Sequence, residues 1–310
     1  GTGAVEPTYG DTAGHWAESS IERWSDHGII QGSNGEFDPN GQLTCAQLAT
    51  ILAKLLKLPA AKDAGFTDNT ADAWYYDAIN RCAAAGILNG NGDGTVTPEA
   101  PITRERAMVM LGRALGIEPI RKPDLTKYTD AAKVAPYAQG MVAAMIEAGI
   151  VGGVTADELA PQDNINRAST VTILDRAIST YADKAGETVK ADGKGIVLVV
   201  ADDVTVTGDV DKLLVPADNV DVTVSGSKNI DDITVTGDNS KVILNNSTAD
   251  NVTLDGKNTE LETKSGSKVE NVSVTEDAKG ATVNAGSGTT VKNVENSAAD
   301  TTVTGSGSVK

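Results

Sequence analysis

Two arginines stand where a side chain can grip a carboxylate. Arg104 follows Thr103 and Arg167 follows Asn166, each one residue after a predicted helix N-cap. A guanidinium in that place offers forked donors beside the positive end of the helix dipole. An isolated arginine at a helix start is an ordinary surface charge. These two are singled out because they hold the same place in a motif that recurs.

Copy one of the motif holds Tyr9-Gly-Asp11, His15-Trp16, Gly28-Ile-Ile-Gln-Gly32, Phe37-Asp-Pro39 and Leu43-Thr44-Cys45-Ala-Gln47. Copy two holds Phe66-Thr-Asp68, Trp74-Tyr75, Gly86-Ile-Leu-Asn-Gly90, Val96-Thr-Pro98 and Ile102-Thr103-Arg104-Glu-Arg106. Copy three holds Tyr128-Thr-Asp130, Pro136-Tyr137, Gly149-Ile-Val-Gly-Gly153, Leu159-Ala-Pro161 and Ile165-Asn166-Arg167-Ala-Ser169. The aromatic-x-Asp starts lie 57 and 62 residues apart and the prolines 59 and 63. Repeats of this kind bury apolar faces against each other and bind in the seams. Copy one departs at the decisive position, because the neutral thiol of Cys45 cannot replace a guanidinium fork.

The elements that position these residues are helical. Ala17–His27 carries Ala17, Ile21 and Trp24 at helical spacing, and Gly28 stops it as a C-terminal cap with positive φ. Thr44 caps a second helix with Leu48, Ile51, Leu52 and Leu55 on one face. The pattern returns over 77–85 and 104–115, then over 137–148 and 167–181, with Thr103 and Asn166 as the matching caps. Each unit is therefore helix, loop, helix, and about 60 residues bury too little core alone, so the three pack as one body.

Composition divides the chain. All eleven aromatic residues lie at or before Tyr181, whereas from Gly186 onward there is no aromatic, His or Arg and the eleven basic residues are all Lys. In that second part short β-branched runs recur just under ten residues apart and end at turn residues such as Gly208, Gly226, Gly237 and Gly256. Asn251-Val, Asn271-Val and Asn293-Val add a period of 20 and 22 residues. The reading is a β-solenoid with two strands per coil and the asparagines stacked inward as a ladder. A β-sandwich is the alternative, disfavoured by the absence of any large ring for its core.

A net charge of -17 repels nucleic acid and anionic membrane surfaces, and no apolar run approaches a membrane span. No signal-peptide pattern is read, and Gly1 in place of Met suits a processed protein. Cys45 and Cys82 fit no zinc spacing and read as two small buried thiols, with a disulfide as the alternative. Asn89-Gly-Asn-Gly-Asp93-Gly94 lacks a calcium loop's distal Glu, since Ala100 stands there. No metal and no cofactor is expected.

The three copies resemble S-layer homology domains, whose pattern runs aromatic-x-Asp, His-Trp-Ala, Gly-Ile-Ile-x-Gly, a Gly-rich turn, Phe-x-Pro and Thr-Arg-Ala-Glu. The likeness covers residues 9 to about 182. It implies an all-α, three-repeat helix-loop-helix pseudo-trimer, followed here by the all-β solenoid, right-handed or otherwise. The expected domains are repeats at 1–60, 61–121 and 122–185 and a β spacer or assembly domain at 186–310. The resemblance implies noncovalent anchoring of a secreted protein at the bacterial cell wall or S-layer. The partner would be secondary cell-wall polysaccharide, often pyruvylated, held in grooves between adjacent repeats, with self-association open.

Under that resemblance Arg104 and Arg167 meet the pyruvyl carboxylate. Asp11, Asp68 and Asp130 either accept protons from sugar hydroxyls or cap the first helix of each repeat. Trp16 and Trp74 either stack on a pyranose face or sit half-buried in the core. Gly32, Gly90 and Gly153 permit close backbone approach, to ligand or to a neighbouring loop. The alternatives are a lattice or filament subunit and a wall-anchored, polysaccharide-degrading β-helix enzyme. The β part holds twenty acidic residues, but they are scattered through turns, with no aromatic platform and no Arg for an acidic glycan. No catalytic residue is assigned, and the chain is read as a non-enzyme.

Overall fold

The computed structural model describes residues 8–310, so the first seven residues of the first predicted repeat lie outside the described residues. The chain divides into two compact units, one ending at Ala177 and one running from Ile178, with the short stretch Leu56–Pro59 grouped with the second.

The first unit contains α1 (Glu18–Asp26), α2 (Cys45–Leu56), α3 (Tyr76–Ala84), α4 (Arg104–Ala114), α5 (Pro136–Glu147) and α6 (Arg167–Ala177). The caps follow the sequence. Thr44 Oγ1 accepts from Gln47 N at 3.1 Å while Gln47 Oε1 accepts from Thr44 N at 2.9 Å, a reciprocal capping box. Thr103 accepts from Arg106 N, and Asn166 Oδ1 accepts from Ser169 N at 2.8 Å. Gly28, Gly86 and Gly149, at φ 72, 75 and 73°, each follow the first helix of a copy. Trp24, Phe37, Leu48, Leu52, Ile79 and Leu111 lie among the largest fully buried side chains.

Backbone hydrogen bonds tie the copies in a cycle. Leu43 N donates to Ile165 O at 3.3 Å, Ile165 N to Ile102 O at 3.0 Å, and Ile102 N to Leu43 O at 2.9 Å. Around this ring the first N–H groups of each second helix donate into the next copy's loop. Cys45 and Ala46 reach Ala100 and Pro98, Arg104 and Glu105 reach Asp163 and Pro161, and Arg167 and Ala168 reach Gly41 and Pro39. The open donors of a helix start thereby become inter-repeat joints.

The predicted helix over 167–181 stops early. Its last residues, Ile178-Ser-Thr-Tyr-Ala182, form β1 instead and pair in parallel with β3 (Ile196–Val199). This β-branched and aromatic run gains a neighbouring strand, and that overrides helical continuation.

Among the described residues fifteen strands form two all-parallel sheets. The odd-numbered sheet continues through β5 (Lys212–Val215), β7 (Ile230–Val235), β9 (Thr248–Leu254), β11 (Lys268–Val274), β13 (Thr290–Asn296) and β15 (Ser308–Val309). The even-numbered sheet comprises β2 (Thr188–Asp192), β4 (Val204–Asp209), β6 (Asp221–Ser225), β8 (Lys241–Asn245), β10 (Glu260–Lys264), β12 (Thr282–Ala285) and β14 (Thr302–Thr304). Strands alternate between the sheets, so the chain winds a β-solenoid of about seven turns. Parallel pairing throughout excludes the antiparallel β-sandwich.

Interior side chains stack in register. Val204, Val222, Val242, Leu261 and Val283 form one column, all buried. Leu213, Ile233, Val252 and Val272 form another in the facing sheet. The inward ladder is serine, not asparagine. Val210 N donates to Ser227 Oγ, Ser227 N to Ser247 Oγ and Ser247 N to Ser267 Oγ at 2.9–3.1 Å, and the three serines are fully buried.

The predicted asparagine ladder exists but faces water. Asn271 Nδ2 donates to Asn251 Oδ1 at 3.3 Å and Asn293 Nδ2 to Asn271 Oδ1 at 3.1 Å, with Asn271 and Asn293 exposed. Pairing passes from Val269↔Ala249 to Asn271↔Asn251, stepping over Glu270. Two successive side chains therefore turn outward before Val272 returns to the core.

Candidate functional site

The three aspartates do the same job in each copy, and it is not helix capping. Asp11 accepts from Phe37 N and Asp38 N, Asp68 from Val96 N and Thr97 N, and Asp130 from Leu159 N and Ala160 N, all at 2.8–2.9 Å. The second residue of each pair has positive φ and precedes the proline: Asp38 at 56°, Thr97 at 45° and Ala160 at 48°. Two charge-assisted bonds offset the cost of that backbone at a non-glycine residue. Burial alone would raise the Asp11 and Asp130 carboxyls, but the backbone N–H donors outweigh it and hold both below the usual range. Helices α1, α3 and α5 have Ala17, Tyr75 and Ala135 at their N-caps, without a side-chain cap bond, so the capping expectation is corrected.

Arg104 and Arg167 reach into the neighbouring copy. Arg104 Nε donates to Leu159 O at 3.0 Å, and its residue is only 9% exposed. Arg167 Nε donates to Phe37 O and Nη2 to Gln31 O, both at 2.8 Å, and the guanidinium lies 4.4 Å from the Phe37 ring centroid. Burial lowers both pKa values, opposed by Asp163 and Asp130 at Arg104 and first by Asp38 at Arg167. The helix-start N–H groups beside them already serve carbonyls of the next copy, so the dipole is less open to a ligand than the sequence implies. Donors remain, because the Nη groups of Arg104 and Nη1 of Arg167 have no hydrogen-bond partner among the described residues.

Trp16 and Trp74 are 64% and 66% exposed, not half-buried. Tyr137, at 57%, is their counterpart in copy three. Each of the three stands twelve residues before its copy's helix-stopping glycine, a spacing that identifies Tyr137 although its neighbour Pro136 obscures the motif. The three glycines serve loops of their own copy. A Cβ would come within 2.0 Å of Glu36 O at Gly32, 2.6 Å of the Phe66 ring at Gly90 and 2.3 Å of Glu158 O at Gly153.

A cavity of about 370 Å³ brings copies two and three together. Leu88, Gly90 and Asn91 come from the loop after α3, Arg106 and Arg113 from α4, and Tyr137 from α5. An exposed ring, paired guanidinium groups, amides and an apolar floor suit a sugar ring carrying a polar or anionic substituent. Arg104 is not on this lining, and Arg106 and Arg113, which are, escape a motif search because their types do not recur in all copies. Among the described residues no group of three or more His, Cys, Asp or Glu side chains is placed to hold a metal ion. The Gly-rich loop is held from within, Asp93 Oδ1 accepting from Thr95 N and Oγ1. Cys45 and Cys82 are free and buried, and burial pushes the Cys82 thiol up to about 12.

A family model described as the S-layer homology domain matches residues 8–49, 65–105 and 127–170. The chain carries three S-layer homology domains. Each match opens at an aromatic-x-Asp start and closes inside a copy's second helix. Among curated relatives, the Surface-layer 125 kDa protein of Lysinibacillus sphaericus is 30% identical over 67% of this chain and 18% of its own length. S-layer protein sap of Bacillus anthracis is 28% identical over 61% of this chain and 23% of its own. An Amylopullulanase of Thermoanaerobacterium thermosulfurigenes is 28% identical over 54% of this chain and 9% of its own. The chain thus spans less than a quarter of these relatives. The S-layer homology domains and S-layer relatives indicate a secreted, cell-surface protein. Among the described residues no helix is long and apolar enough to cross a membrane.

Proposed function

We propose that the first unit is a three-repeat pseudo-trimer that anchors a surface protein noncovalently by binding secondary cell-wall polysaccharide in grooves between adjacent repeats. The cyclic backbone bonds support the pseudo-trimer. The observation that carries the binding role is the cavity where a glycine-bearing loop and arginines of copy two meet Tyr137 of copy three. Trp16, Trp74 and Tyr137 supply stacking faces. Arg104 and Arg167 offer their remaining Nη donors to an acidic, pyruvylated sugar. Asp11, Asp68 and Asp130 set the loop before each proline, and Gly32, Gly90 and Gly153 let that loop close. Grooves that are each weak alone bind a polymer strongly when linked. The β-solenoid is a stalk or assembly module, and the chain is not an enzyme.

Cosedimentation with purified cell-wall polymer tests this reading. The wild-type chain is expected to pellet with the polymer. Replacing Trp16, Trp74 and Tyr137 together by Ala is expected to leave it in the supernatant, with the fold intact because all three rings are exposed. A wild-type chain that stays in solution overturns the proposal. The S-layer relatives favour a second reading, a lattice subunit, which electron microscopy of concentrated protein separates from an anchored monomer.

A further inference from the structure

We propose that the closed ring of copies has one opening seam, between copies one and two, while the other two seams hold. The backbone joints are alike at all three, so the difference lies in the side chains that cross each seam.

The seam between copies two and three is fastened twice along α4. At the helix start Arg104 Nε donates to Leu159 O at 3.0 Å, and the Glu105 carboxylate accepts from Ala135 N at 2.9 Å and from Gln162 Nε2 at 2.6 Å. Farther along, Gly112 meets Met141 so closely that a Cβ would come within 2.3 Å of the sulfur. The missing side chain of Gly112 makes the hole that the Met141 thioether fills. The seam between copies three and one is fastened at the same two levels of α6 by other chemistry. Arg167 donates to Phe37 O and Gln31 O at the helix start. Farther along, Asp175 accepts from Ser20 Oγ at 3.0 Å and from Arg23 Nη1 at 2.8 Å.

At the seam between copies one and two the same places hold other residues. Cys45 and Ala46 stand where copy two has Arg104 and Glu105, and their side chains are too short to make those bonds. Ala53 holds the place of Gly112 and Asp175, and Ala78 holds the place of Met141 and Ser20. Ser20 and Met141 are buried at their seams, whereas Ala53 and Ala78 are both partly exposed. Two methyl groups there neither interlock nor hydrogen-bond. Cys82 Sγ donates to Ala49 O at 3.3 Å, and a thiol is a weak donor. Opening this seam breaks the joints from Cys45 N to Ala100 O, Ala46 N to Pro98 O and Ile102 N to Leu43 O. Local opening starts where a fold has the fewest stabilising contacts. Copy one stays fastened to copy three, so one seam is adjustable while two keep the shape of the ring.

The chain's two cysteines, Cys45 and Cys82, both lie on this seam and report on it. Burial raises both thiols, Cys82 to about 12, so neither reacts while the seam is shut.

Amide exchange of the wild-type chain in native buffer tests the proposal. The N–H groups of Cys45, Ala46 and Ile102 are expected to exchange about 10-fold faster than those of Arg104, Glu105 and Ile165, and than those of Arg167, Ala168 and Leu43, the scale of one charge-assisted hydrogen bond. Labelling of Cys82 by an aromatic disulfide reagent should outpace global unfolding, followed by tryptophan emission, by about the same factor. The double variant Ala53→Asp/Ala78→Ser sets at this seam the contact that Asp175 and Ser20 make, and should slow both readouts about 10-fold. Joints of all three seams that exchange together, or a Cys82 thiol that reacts only with global unfolding, overturn the proposal. Exchange and labelling are both read on the wild-type chain, so the test holds even if the double variant misfolds.

Discussion

The two units solve the problem of repetition in opposite ways. In the helical unit three copies interlock in a cycle, each passing its helix start to the next and the third returning to the first. In the solenoid each coil bonds only the coils before and after it. The cycle brings residues 130 and 136 positions apart into contact, Arg167 with Phe37 and Gln31. The solenoid joins residues about twenty apart and builds its core mainly from Val, Leu, Ile, Ala, Ser and Thr. A closed set of unlike copies makes seams with distinct chemistry, whereas a stack of like coils makes length. The exposed rings and the cavity belong to the helical unit for that reason.

Cavity-forming substitutions in the two cores break this comparison most sharply. Leu52→Ala in α2 and Leu261→Ala in β10 both truncate fully buried side chains and are each expected to cost about 2–5 kcal/mol. The distribution of the damage should differ. Hydrogen exchange after Leu52→Ala should quicken across all three copies, because their joints are mutual. After Leu261→Ala it should quicken in β8, β10 and β12 and leave β2 and β4 protected, as a nearest-neighbour stack requires. Uniform loss of protection throughout the solenoid would show that the stack is as cooperative as the ring.

A second pair sharpens the picture inside the solenoid. Ser247→Ala leaves the buried Ser227 N–H without its acceptor and should cost about 1–3 kcal/mol. Asn271→Ala removes an equally regular ladder contact on the wet face and should stay within about 0.5 kcal/mol. Denaturant midpoints of the two variants decide it, and equal midpoints would mean that the outer ladder carries as much as the inner one.

Much of this was legible from the chain. The three copies, their helix caps at Thr44, Thr103 and Asn166, and the two-strand coil follow from local chemistry that a sequence displays directly. What was misread depended on partners remote in sequence. Asp11, Asp68 and Asp130 resemble helix caps until the loop 26 to 30 residues later supplies two N–H donors to each. The asparagine period was correct but its face was not, because the step over Glu270 leaves no compositional trace. Ser227, Ser247 and Ser267 share the same twenty-residue period, yet serine is so common in turns that its burial goes unnoticed. Arg106 goes unmarked because its type does not recur, Gln47 and Ser169 holding its place in the other copies, and Arg113 because it lies in the helix beyond the last landmark of the motif.

The smallest expected effect is a difference in acid response, and it again separates the two regions. Asp11 and Asp130 in the helical unit have lowered folded-state pKa values. Their stabilisation is complete above the unfolded value near 3.8 and is lost as pH falls through the folded one. Asp221 and Asp232 in the solenoid have raised values, caused first by burial and then by Asp202 and Asp231 respectively. Their contribution is complete below 3.8 and is lost as pH rises through the folded value, so mild acid relieves repulsion there. The spectroscopy separates the units without labels, because Trp16, Trp24 and Trp74 all lie in the helical one. On lowering the pH from 7 toward 3, tryptophan emission should report loss of the helical unit while the β signal in far-ultraviolet circular dichroism persists. Replacing both Asp11 and Asp130 by Asn should flatten the acid branch of the tryptophan curve, since an amide keeps one acceptor oxygen but no longer titrates. A β signal that fades at higher pH than the tryptophan signal would reverse the ranking of the two units.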